Sequence, residues 1–299
     1  MKRISIYTKL ILTELIAIVI FLFVQMNLDF NWATEILGVS AFLFGLLIAF
    51  TISNSHSRLN EIRDKLREQD ALLLSISYLS KNFDSNIFKI IKNKIDELLI
   101  SQIDYNLIDF DIKTPEKLRE LYDYIEKIKF KGRPQIEAHE KMLDALNDIL
   151  KIHEAISYRV KNKMRGYEWI SLFLLGGIIL FCFLALNNKS PISIIVLSIF
   201  TSAISLLFFI LSEIESLGWQ ESNWIWEPLV NLFLELKLLP YFPKGIIKKK
   251  RVNIGKLVKT NKIRIAEYPF PYPNMKGKII KIISIKDIPP KSNFILKNI

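Results

Sequence analysis

The chain is poor in the side chains that build soft metal sites and redox centres. Its 299 residues include one cysteine, Cys182, and three histidines, His56, His139 and His153. A lone cysteine excludes an internal disulfide, and Cys182 lies in an apolar run that suits a small packing residue. No zinc spacing, glycine-rich phosphate loop or Gly-x-Ser-x-Gly elbow occurs, so nothing points to an enzyme. His139 and His153 fall on similar faces of one predicted helix and are read as surface or helix-packing residues.

Two further absences organise the chain. No charged residue occurs from Ile36 to Ser57, roughly the length that crosses a bilayer core as a helix. No glycine or proline occurs between Gly45 and Pro115, so nothing ends a helix where Arg58-Leu-Asn-Glu61-Ile-Arg63 turns the composition charged. Leu59, Ile62, Leu66, Leu73 and Ile76 then recur at helical spacing, with Gln69 in the seam. One continuous helix is predicted over residues 46–80, spanning the membrane and projecting beyond it.

Acidic residues are scarce at the C-terminus. Residues 244–299 hold fifteen Lys/Arg against Glu267 and Asp287, a net +13, whereas the rest of the chain carries −2. The run Lys248-Lys249-Lys250-Arg251 is expected to meet anionic lipid headgroups rather than nucleic acid, because the chain is otherwise a membrane protein. Alternation within residues 254–265 and 276–285 also suits short strands.

The predicted class is all-α: an integral membrane protein with four transmembrane helices and a helical cytoplasmic region. The first hairpin occupies residues 1–53, with spans at about 10–26 and 33–53. No small-x-small cleavage site follows the first apolar stretch, which is therefore read as a span rather than a signal peptide. Within it, Glu14 is expensive in hydrocarbon and calls for an interface position or a polar partner. Residues 54–168 form the cytoplasmic helices. Among these, Thr114-Pro115-Glu116 looks like a helix start and Gly132 with Pro134 like its stop. Residues 169–212 form the second hairpin, turning at Asn187–Pro191. Its last helix carries Ser198, Thr201, Ser202 and Ser205, small residues suited to close packing. Residues 213–243 are expected to lie along the interface and 244–299 to form a basic cytoplasmic tail. All five tryptophans (Trp32, Trp169, Trp219, Trp224, Trp226) fall at predicted span edges, and the basic residues place both termini in the cytoplasm of a cell (inner) membrane, multi-pass protein. Arg58, Glu61 and Arg63 are expected to form a structural ion-pair network at the membrane exit. Glu213 and Glu215 are the candidate ligands for a cytosolic cation such as calcium, although no cofactor is expected.

Three features together resemble the bestrophins, a family of pentameric membrane channels. Ser5-Ile6-Tyr7 with Lys9 and Glu14 is similar to the start of the family's first span. Ser55 to Arg63 is similar to its Arg-x-x-Glu-x-Arg run, with Arg58, Glu61 and Arg63 on the pattern and His56 where tyrosine is usual. The order of two spans, cytoplasmic helices, two spans and a tail also agrees. No aspartate run resembling the family's calcium clasp is present. The resemblance implies a homo-oligomeric, pentameric channel for small inorganic ions, whose second span lines the pore. It further implies that Phe42, Leu46 and Phe50 form the hydrophobic neck. The alternative is a non-conducting, membrane-anchored scaffold or sensor whose cytoplasmic helices recruit partners.

Overall fold

A computed structural model describes residues 6–24, 32–105, 107–109, 114–217, 223–245 and 261–284. The chain is mostly helical and divides into two units, Met1–Leu59 with Asn162–Ser216, and Asn60–Lys161 with Leu217–Ile299. The helices are α1 (Ile6–Phe23), α2 (Ala33–Leu79), α3 (Ser85–Asp104), α4 (Pro115–Glu126), α5 (Arg133–Lys161), α6 (Gly166–Ala185), α7 (Pro191–Glu215) and α8 (Asn223–Glu235). The strands are β1 (Tyr241–Pro243), β2 (Lys262–Glu267) and β3 (Ile279–Ser284).

As the missing glycine and proline imply, α2 runs unbroken for 47 residues, about 70 Å at 1.5 Å per residue. A short 3-10 turn, Ser80–Asn82, ends it, with the Ser80 hydroxyl donating to the Ser77 carbonyl at 2.7 Å. Among the described residues, three helical stretches are long and apolar enough to cross a membrane, within Ala33–Asn82, Arg133–Ala185 and Pro191–Glu215. Four spans were expected; α1, with Lys9 and Glu14 in its first half, is not among the three.

In the first unit α1 packs along α7, and the core gathers Ala17, Phe21, Phe44, Ile48, Leu172, Ile179, Phe183, Ile194 and Leu211. Gly176 matters here because a Cβ would meet the Phe208 ring at 3.4 Å and Phe44 at 3.8 Å. That gap lets Phe208 stack on Phe173, with ring centroids 4.9 Å apart. Two polar side chains of this apolar unit find partners far along the chain, although the buried Ser198 hydroxyl has none among the described residues. Ser202 donates to the Glu14 carboxylate, and buried Asn187 donates to the Phe21 carbonyl at the end of α1 at 2.7 Å. The small residues of α7 thus allow close packing and also supply a hydroxyl to the one acid in α1.

The second unit is built on Ile62, Leu73 and Ile76 of α2 with Ile91, Ile95, Leu98, Leu99 and Ile103 of α3, all essentially inaccessible. Gln69, also fully buried, donates to Gln102 at 3.1 Å, so the polar residue in the seam is met by a polar partner. α4 begins at Pro115 as predicted but ends at Glu126, earlier than Gly132, because the Ile128 N–H turns back onto the Ile125 carbonyl at 3.1 Å. The two buried histidines of α5 explain how this short helix is held. His139 Nε2 donates to the Ile125 carbonyl at 2.9 Å, filling an acceptor at the helix end. His153 Nε2 lies 2.7 Å from the Thr114 hydroxyl at the other end, where the threonine side chain makes no backbone cap. Fourteen residues of α5 rise about 21 Å, close to the length of α4. Each of His139→Ala and His153→Ala is therefore expected to cost about 1–3 kcal/mol by stranding a buried polar group. Chemical unfolding of the purified protein checks this, and changes within about 0.5 kcal/mol would reduce both to surface residues.

The all-α expectation is corrected by a three-stranded sheet in the order β1-β2-β3, with β1 parallel and β2–β3 antiparallel. Within residues 229–243, part of the segment expected along the membrane interface, Phe233, Tyr241 and Phe242 are buried in this unit. Two ion clusters anchor the sheet to α3. Arg264 makes a two-pronged pair with Asp96 at 2.6 and 2.7 Å and also donates to the Leu239 carbonyl. Asp104 accepts from Tyr241 at 2.5 Å, from Tyr268 at 2.6 Å and from Lys278. Burial first, and the Asp104 charge second, hold both phenols protonated far beyond the ordinary tyrosine range. Tyr241→Phe removes one charge-assisted bond and is expected to cost about 1.5–3 kcal/mol in the same unfolding measurement. No change would mean that Tyr268 and Lys278 already satisfy Asp104.

Candidate functional site

The membrane-crossing part of α2 has two unlike faces. Phe44 and Ile48 are buried in the first unit's core, whereas Phe42, Leu46 and Phe50 are 68%, 46% and 66% exposed. A four-residue step drifts only about 40° around a helix, so these three side chains stack along one side over about 12 Å. Val39 and Leu43 extend the same uncovered surface. Among the described residues, none of these five side chains belongs to the first unit's core.

Two turns beyond Phe50, where the charge-free stretch ends, the opposite requirement applies, and α2 buries polar side chains. Ser55 and Arg58 are both buried, and both turn to Glu215 at the last position of α7. Ser55 donates to Glu215 Oε1 at 2.6 Å, and Arg58 Nη2 lies 3.3 Å from the same oxygen. The other carboxylate oxygen accepts from the Met164 backbone N–H at 3.0 Å, and Arg58 Nη1 donates to the Asn162 carbonyl at 2.7 Å. The cluster therefore ties α2, the end of α7 and the link into α6. A buried carboxylate is tolerated here because a cation and two hydrogen-bond donors replace its water. Arg58 Nε, also buried, has no hydrogen-bond partner among the described residues.

The expected site residues distribute as follows. The ion pairs described for Arg58 and Glu61 run to Glu215 and, at 2.5 Å, to Arg159, neither of which the local pattern brings together with them. Arg63 is half-buried on the following turn. Glu213 is exposed while Glu215 is buried, so the two candidate cation ligands point to different sides of α7. No group of three or more His, Cys, Asp or Glu among the described residues could hold a metal ion. Lys248, Lys249, Lys250 and Arg251 lie outside the described residues. Sequence reasoning missed Ser55 and the backbone at 162–164. Ser55 and Glu215 are 160 residues apart, and the only local signal was a polar residue one turn before Arg58.

The Bestrophin-like domain matches residues 10–216. The chain belongs to the bestrophin-like family. No curated protein and no solved structure matches it. The matched region contains the exposed face of α2, the Arg58–Glu215 cluster and all of α7, and it stops before α8 and the sheet. Together with the three apolar helices, membership makes this bestrophin-like protein a membrane protein of a channel-like family.

Proposed function

We propose that this bestrophin-like protein is an oligomeric, pentameric ion channel in the cell membrane, with both termini cytoplasmic and α1 completing four spans. Its neck is formed by Phe42, Leu46 and Phe50. The observation that carries this reading is the large apolar face of α2 that the protein's own bundle leaves uncovered, beside a buried face on the same helix. In a symmetric assembly each position contributes a ring, and narrow apolar rings stop ions by dewetting. The Arg58–Glu215 cluster supports the reading from the other side, because a pore-lining helix must be held at its exit if its rings are to keep register. Glu61 and Arg159, on the cytoplasmic continuation, add a second and more exposed pair.

Size measurement of the purified protein followed by ion flux into liposomes tests the proposal. A uniform oligomer and protein-dependent flux are the expected results. A monomer, or tight liposomes at every protein density, would favour the membrane-anchored scaffold.

A further inference from the structure

The sheet leaves one strand uncovered. Ile263 and Ala266 of β2 are fully buried, but Ile279, Ile280 and Ile282 of β3 are 53%, 41% and 62% exposed. The register sets Ile280 beside Ala266 and Ile282 beside Arg264, with Ile279 and Lys281 on the opposite face, so both faces of β3 stand open. β3 also ends the sheet, and among the described residues no strand pairs with its outer edge. The connection from β2 adds two more exposed rings, Phe270 and Tyr272. Edge strands in water are ordinarily protected by charge, proline or a covering segment, and an apolar edge of this kind marks a docking surface.

Charge indicates the occupant. The sequence leading into β2 contains Lys248, Lys249, Lys250, Arg251, Lys256 and Lys259, with no acidic residue from 246 to 260. Lys276 precedes β3 and Lys286 follows it. Lys278 and Lys281 are offset by Asp104 and Glu267, so the excess comes from the flanks. A second copy adding its own β3 edge to edge would bring these like charges together. An anionic bilayer complements them, and aromatic and isoleucine side chains suit the boundary between headgroups and acyl chains. We propose that β3 and the loop before it form a lipid-contacting edge that docks on anionic headgroups. This inference does not depend on conduction.

The full-length protein carrying Ile282→Cys in a Cys182→Ala background, spin-labelled at that one thiol, tests it in lipid nanodiscs. The probes are molecular oxygen and a soluble nickel chelate. Discs of phosphatidylcholine with phosphatidylglycerol should raise the label's accessibility to oxygen and lower it to the chelate, relative to phosphatidylcholine alone, and high salt should reverse the change. Equal, water-like accessibility in both lipids would overturn the proposal. So would shielding from both probes whatever the lipid, since that places β3 against protein. Hydrogen exchange of β3 in the unmodified protein gives the same comparison without a substitution: slower exchange only in anionic discs is expected, and lipid-independent exchange contradicts it.

Discussion

Glu215→Ala is expected to destabilise the protein by about 3–5 kcal/mol, the range for removing one partner of a buried ion pair. The truncation strands the buried Arg58 guanidinium, whose Nη2 then faces no carboxylate, and leaves the Ser55 hydroxyl and the Met164 N–H without their acceptor. Glu215→Gln keeps an oxygen for one of those donors and should cost less. The combined Arg58→Met, Glu215→Leu variant should recover much of the loss, because apolar side chains of similar volume carry no desolvation cost. The three variants and the parent, unfolded in the same detergent, measure this. Equal stability of Glu215→Ala and parent would mean that water reaches the cluster and screens it. A double variant less stable than either single change would mean that packing, rather than charge, holds the junction.

The second large effect is on conduction. Phe42→Ala, Leu46→Ala and Phe50→Ala together remove three apolar side chains that contribute little to the first unit's core, since all three are exposed there. Stability of the bundle should therefore change far less than a buried large-to-alanine series, in which each step costs about 2–5 kcal/mol. Conductance should rise, because alanine rings leave a wider and more easily wetted constriction. A matching triple substitution in the buried core, at Phe44 and Ile48 of α2 and Leu172 of α6, should do the reverse and abolish assembly without ever producing a leaky channel. The contrast separates a surface used for passage from one used for packing.

Much of the helical framework was legible because it rests on local rules. Without glycine or proline between Gly45 and Pro115, helical hydrogen bonding has no reason to stop before Leu79. Thr114 with Pro115, and Asn187 to Pro191, mark turns by residue type alone. The spacing of Phe42, Leu46 and Phe50 put them near one face of α2, but their choice came from the family resemblance, and spacing alone left open whether that face was covered. What could not be read were partners far apart in the chain. Arg58 finds Glu215 across 157 positions, whereas the sequence pattern offers only Glu61 and Arg63 nearby. His139 and His153 were recognisable as two histidines on one helix face and α4 as a helix, but not that these histidines hold its two ends. The sheet was legible only in part: the alternation within 276–285 covers β3 and that within 254–265 reaches the start of β2, but nothing marked β1. Its strands are only three to six residues long and sit in a strongly basic region, where Arg264 pairs with Asp96 and Lys278 with Asp104, acids contributed by a distant helix. Composition reported the charge of that region, and only the alternation of its residues pointed to strands within it.

Single-channel recording of the Phe42, Leu46, Phe50 triple-alanine variant beside the parent, both in the same bilayer and both checked for oligomer size, is the most direct measurement. A neck on α2 predicts unchanged size and a conductance clearly above the parent's. Unchanged size with unchanged conductance, or no current from either protein, would contradict it.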